Sequence, residues 1–278
     1  MLKDIEHPLQ KYIRPGTNYT TCPGCGNGIL AQSTLRAIKN LELDFDNIVF
    51  VSGIGCAGWI PSPSFNTDVL HVTHGRAIAY ATGVKLTNPK LKVVVFSGDG
   101  DLSAIGGNHF IHAARRNIDL TVICVNNRIY GMTSGQAAPT TPKNSKTTTT
   151  PYGNMENTFD LSDLAKSAGA TFVARWTTYH ARQLTKSIAK AIDKKGFSFI
   201  EAISQCPVHY GKVIGMRNDA PSMMKEFKSK SIHINKIDSL SNESSDDKII
   251  VGELVNENEK AELTDLMQSL RTEVGTDG

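Results

Sequence analysis

Two cysteines stand two residues apart in Cys22-Pro23-Gly24-Cys25. Thiols at that spacing can hold zinc, close a redox disulfide, carry an iron–sulfur cluster or simply flank a turn. Three more cysteines follow, at 56, 124 and 206. Cys124 falls inside the apolar run "LTVICVNN" and reads as a small core residue. The other four lie beside glycine or proline, in "TCPGCG", "GIGCAG" and "SQCPVH", and loops are where ligands are usually gathered. Four thiols therefore remain for one site. A second donor set is made of oxygen. "FSGDGD" (96–101) and "VNNRIYGM" (125–132) offer the carboxylate of Asp99 and the side chain of Asn127. Such a pair suits a hard cation such as Mg²⁺, which completes its octahedron with a backbone carbonyl, water and phosphate oxygens. The flanking Gly98 and Gly100 let the backbone approach a diphosphate closely. Taken singly, each half is bland, since Gly-Asp-Gly is a good turn on its own.

Position gives the pair its meaning. "KVVVFSG" (92–98) is a continuous apolar run, as expected of a strand buried on both faces, and "LTVICVN" (120–126) is another. Residues 101–125 between Gly100 and Asn126 leave room for one crossover helix, read over 103–116. A right-handed crossover puts both strands in one parallel sheet with their carboxyl ends on one edge, where open α/β sheets bind ligands. The same alternation recurs as strands over 47–53, 171–175 and 197–204 and helices over 75–86, 161–169 and 179–195. The fold class is therefore α/β, a parallel sheet with helices on both faces. Residues 133–157, polar and rich in threonine and proline, form a long loop that is either functional or a surface excursion. Beyond 220 the hydrophobic periodicity fades. Residues 1–220 are expected to form the ligand-binding domain. Residues 221–278 are read as a polar extension that packs on a partner or stays mobile, with a strand at "KIIVGELV" and a polar helix after it.

With 40% hydrophobic and 21% charged residues, the chain has the composition of an ordinary soluble protein. A net charge of +3 is too weak to argue for nucleic acid as a partner, and no dense basic tract supports one. The start "MLKDIEHPLQKYIRPG" lacks a signal-like apolar stretch, and no run of about 18 apolar residues occurs. A cytoplasmic location without a membrane span is expected.

Gly-Asp-Gly at one strand end and Asn-Asn at the next, one helix apart, match the signature of the diphosphate-binding domain of thiamine diphosphate enzymes. Together with "CPGCGNG", "GIGC", "THGRA", "GGNHFIHAARRN" and "TTPYG", the sequence resembles the β subunit of 2-oxoacid:ferredoxin oxidoreductases over roughly residues 15–215. The resemblance implies thiamine diphosphate held through Mg²⁺, with Asp99, the Asn127 side chain and the Ile129 carbonyl as metal ligands. It implies a [4Fe–4S] cluster on Cys22, Cys25, Cys56 and Cys206. Gly55, Cys56, His74, Gly98, Gly100, Asp101, Gly131 and Met132 match cofactor-lining positions, with His74 a contact to diphosphate or substrate.

The implied reaction is CoA-dependent oxidative decarboxylation of a 2-oxoacid to acyl-CoA and CO₂, with electrons leaving through the cluster to ferredoxin. The short chain looks most like 2-oxoglutarate members, with pyruvate next. Trp59 stands just after the third cysteine, where some members carry a basic residue. The carboxylate that activates the cofactor comes from a separate pyrimidine-side domain in this superfamily, so an α subunit is expected to supply it. Two other readings are a subunit of a non-redox decarboxylase, which the four loop cysteines oppose, and a non-catalytic iron–sulfur module, which the metal–diphosphate motif opposes. Lys212 and Arg217, shortly after Cys206, are candidates for steering an acidic ferredoxin.

Overall fold

The apolar runs become the centre of a single sheet. In the computed structural model, which describes residues 7–17, 20–239, 248–258 and 260–275, the strands are β1 (Ile48–Ser52), β2 (Asp68–His71), β3 (Lys92–Gly98), β4 (Thr121–Asn126), β5 (Phe172–Thr177), β6 (Ser198–Ile203), β7 (Ser231–His233) and β8 (Ile249–Asn256). Their order is β2-β1-β3-β4-β6-β5-β8-β7. The first six run parallel, and β8 lies antiparallel to β5.

Alternation along each strand splits the core in two. On one face Val94 and Phe96 of β3 pack with Leu35 of α1 (Gly26–Asn40) and Ile188 of α5 (Ala181–Asp193). On the other, Val93 and Val95 pack with Ile78 of α2 (Ala77–Thr87), Phe110 of α3 (Gly107–Arg115) and Leu161 of α4 (Leu161–Ser167). Cys124, fully buried, belongs to this second core. Helices on both faces of a mostly parallel sheet were expected, and this is what forms.

The helix read over 103–116 does not start as one. Residues 101–105 make a wide π-type turn, closed by the Gly106 amide on the Asp101 carbonyl at 3.1 Å, before α3 begins. Helix α1 and edge strand β2 were not read from the sequence at all. The polar loop 133–157 is tied down by its own side chains. The Thr141 hydroxyl donates to the Arg128 carbonyl at 2.6 Å, and the Asn154 amide to the Thr141 carbonyl at 2.9 Å.

The strand expected at "KIIVGELV" forms as β8 and joins the sheet. Met223 and Phe227 of α7 (Ala220–Lys230), which follows the short α6 (Tyr210–Val213), are buried, and β8 fills the edge that β5 would otherwise leave unpaired. The described residues of 221–278 thus add to the same sheet, and the last helix among them is α8 (Leu263–Glu273). The stretch 240–247 of the expected linker, the first six residues and Asn18 and Tyr19 lie outside the described residues. Among the described residues no helix is long and apolar enough to cross a membrane.

Candidate active site

Gly98 is in register with Val125, so the loops leaving β3 and β4 start side by side. Between them lies a cavity of about 80 Å³ lined by Gly55, Cys56, His74, Gly98, Asp99, Gly100, Asp101, Asn127, Ile129, Gly131 and Met132. The structure thus brings together the residues singled out for the cofactor. The backbone passes close here: a side chain on Gly100 would start 2.4 Å from the Tyr130 ring, whose hydroxyl donates to the Gly100 carbonyl.

Asp99 is only 2% exposed, and burial pushes its carboxyl up to about 7, against hydrogen bonds from the Thr140 hydroxyl and the Gly100 amide. Among the described residues no cationic side chain bonds this carboxyl, and a divalent ion there would relieve the desolvation. Asn127 Oδ1 accepts from the Ile129 amide at 3.1 Å, which closes the turn carrying both residues. One carboxylate, one amide oxygen and a carbonyl make a donor set suited to Mg²⁺. Asp101 is occupied differently. Its carboxylate accepts from the Gly75 amide at 2.6 Å and from the Ser97 hydroxyl, anchoring the loop that carries His74. His74 Nδ1 lies 2.8 Å from Asp101 Oδ1 but outside hydrogen-bond alignment.

A second cavity, of about 360 Å³, adjoins the first and is lined by Cys22, Cys25, Cys56 and Cys206, with Trp59 at its wall. Burial first, then the neighbouring thiols, push Cys25 up to about 12 and Cys56 up to about 11. Buried thiols such as Cys25 and Cys56 ionise readily only beside a cation, so the four-thiol donor set fits a cluster of iron ions. Among the described residues no three His, Cys, Asp or Glu side chains are close enough to share a single ion. Cys56, Asn127, Gly131 and Met132 line both cavities. A Cβ on Gly131 would stand 3.6 Å from Cys56 Sγ, 3.7 Å from Asn127 Nδ2 and 3.8 Å from Cys206 Sγ.

Several residues of the site escaped sequence reading. Thr140, which holds Asp99, comes from the threonine-rich loop, whose composition was its only signal. Behind the Asn126-Asn127 turn, Asn126 donates to buried Glu201 at 2.8 Å, and Glu201 also takes Arg175 at 2.8 Å and Ser162 at 2.6 Å. A lone acid inside the apolar run "FSFIEAIS" was the clue to that network.

Residues 53–202 match the family of thiamine pyrophosphate enzymes, at its C-terminal TPP binding domain. The fold and site therefore define a thiamine diphosphate-binding domain. The chain is 53% identical over 265 residues to the 2-oxoglutarate synthase subunit KorB of Methanocaldococcus jannaschii, covering 95% of this chain and 97% of that one. It is 46% identical over 190 residues to the 2-oxoacid:ferredoxin oxidoreductase subunit beta of Sulfolobus sp, covering 68% of this chain and 62% of that one. Among solved structures it is similar to the 2-oxoglutarate:ferredoxin oxidoreductase from Magnetococcus marinus with 2-oxoglutarate, coenzyme A and succinyl-CoA bound. There the TM-score is 0.85 at 29% identity, with 98% of this chain and 92% of that chain covered. The chain belongs to the β-subunit family of 2-oxoacid:ferredoxin oxidoreductases.

Proposed function

We propose that this chain is the thiamine- and cluster-bearing subunit of a cytoplasmic, CoA-dependent 2-oxoacid:ferredoxin oxidoreductase, with 2-oxoglutarate as the favoured substrate. The observation that carries this reading is the shared wall: Cys56, Asn127, Gly131 and Met132 face both the diphosphate cavity and the four-thiol cavity. Thiamine diphosphate, when bound, supplies the carbon that attacks the 2-oxoacid carbonyl and takes up the electron pair released with CO₂, and a [4Fe–4S] cluster next to it carries those electrons away singly.

The chain's own residues have definable tasks. Asp99, Asn127 and the Ile129 carbonyl would hold Mg²⁺, and Thr140 keeps the Asp99 carboxylate turned toward that position. Asp101 fixes the His74–Gly75 loop at the cavity's rim. Cys22, Cys25, Cys56 and Cys206 would each ligate one iron. Among the described residues no glutamate lines the diphosphate cavity, which supports an activating carboxylate on a partner α subunit. The favoured substrate rests on the KorB relatives, which are 2-oxoglutarate synthase subunits.

Cofactor analysis of the chain purified anaerobically with its α subunit tests this directly. Thiamine together with iron and sulfide is expected. Thiamine alone would instead indicate a non-redox decarboxylase subunit, and iron alone a non-catalytic module. Assays with 2-oxoglutarate, pyruvate, CoA and a viologen dye then rank the substrates.

A further inference from the structure

The three segments that carry the four thiols are far apart in sequence, yet two buried side-chain amides join them. Asn27, 1% exposed on the first turn of α1 and two residues after Cys25, donates from Nδ2 to the carbonyl of Cys56 at 2.9 Å. Gln205, 3% exposed and directly before Cys206, donates from Nε2 to the carbonyl of Gly24 at 3.1 Å. The Gln205 carbonyl in turn accepts the Gly26 amide at 3.0 Å, and its Oε1 accepts the Thr178 hydroxyl. The approach is so close that a Cβ on Gly26 would lie 2.3 Å from Ser204 Oγ and 2.6 Å from Gln205 Oε1. None of these bonds uses a thiol or needs a metal.

We infer that Asn27 and Gln205 are positioning residues that hold the cysteine segments assembled before iron arrives. The inference rests on the cluster reading of the four thiols given above. Asn27 joins the Cys22–Cys25 loop to Cys56, and Gln205 joins the same loop to Cys206. All three segments are therefore tied to one another by bonds that involve neither a thiol nor a metal. Without these ties, closing the site around iron would require ordering three loops at once, and the ordering entropy would weaken retention. A chain built this way loses and regains its cluster without unfolding.

The test uses the full chain with its α subunit, reconstituted anaerobically with iron and sulfide, in wild-type, Asn27→Ala and Gln205→Leu forms. Iron content and the loss of visible cluster absorbance under a ferrous chelator are followed, and the stripped proteins are then rebuilt. Wild type should rebuild fully from the stripped state. Asn27→Ala should lose its cluster about tenfold faster, the factor that about 1.4 kcal/mol from one buried hydrogen bond represents, and Gln205→Leu, which removes two, at least as fast. Thr121→Val serves as the control. It removes a buried bond of the same kind, from the Thr121 hydroxyl to the Ala191 carbonyl at 2.9 Å, at the opposite end of β4. The control should lower the melting temperature and leave cluster loss unchanged. Variants that keep iron as long as wild type would overturn the inference, as would a Thr121→Val protein that loses it as fast as they do. A wild-type complex that binds no iron at all would instead remove the cluster reading itself.

Discussion

The two cavities that share Gly131 are built in opposite ways. The diphosphate cavity rests on neighbouring strand ends, β3 and β4, so its oxygen donors come from two short motifs one crossover apart. The cysteine cavity collects thiols from residues 22, 25, 56 and 206, spanning most of the domain. The first inherits its geometry from sheet register, whereas the second needs dedicated ties. A site on a regular scaffold is sensitive to its donors. One assembled from distant loops is sensitive to its supports as well.

Removing donors should have the largest effects on both sides. Asp99→Ala is expected to abolish thiamine diphosphate binding in calorimetric titrations with Mg²⁺, because the one charged ligand is gone. The melting temperature of the apo complex should fall by no more than a few degrees, since the lost carboxyl is buried without a cation. Wild-type affinity in this variant would break the assignment of the oxygen site.

On the sulfur side, Ser at Cys22, Cys25, Cys56 or Cys206 should each collapse iron content and the visible cluster absorbance. Cys124→Ser should keep its iron and cost about 1 kcal/mol of packing, because that thiol lies in the core beneath α2 to α4. Iron loss from Cys124→Ser alone would contradict the division between core and site.

The network behind the Asn126-Asn127 turn sets a third test. Burial works against the charge of Glu201, but Arg175 opposite it and the bonds from Ser162 and Asn126 hold its carboxyl below the ordinary 4.5. Its folded value is depressed, so its contribution is fully present above 4.5 and is lost as pH falls below that. Glu201→Gln should cost about 3 kcal/mol at neutral pH by leaving Arg175 half-paired, and should flatten the acid limb of the stability curve. An unchanged acid limb in denaturant titrations at several pH values would show that the network does not carry the charge ascribed to it.

A smaller change sharpens the contrast. Thr140→Val removes the hydroxyl that faces Asp99 and should weaken cofactor binding about tenfold while leaving iron untouched. Equal loss of iron and cofactor would mean that the two cavities are not separately supported.

The difference between the cavities also explains what the sequence reveals. Gly98 to Asp101 and Asn126 to Asn127 were legible because strand periodicity ends at each, which fixes where they meet. The four loop cysteines were separable from Cys124 by their glycine and proline neighbours. Asn27, Gln205 and Thr140 were invisible, since a buried amide or hydroxyl has no periodic signature and finds its partner only through tertiary packing. The tail was legible only in part for a related reason. Strand β8 was read as a strand, but whether it packs depends on the free edge of β5, which exists only in the folded sheet.

The central claim is that the two cavities form one electron path within this chain. Mixing the anaerobic complex with 2-oxoglutarate and following the cluster's visible absorption tests it most directly. The absorption should bleach on substrate addition, and only when thiamine diphosphate and Mg²⁺ are bound. A complex loaded with thiamine, Mg²⁺ and iron that decarboxylates 2-oxoglutarate while its cluster stays oxidised would contradict it.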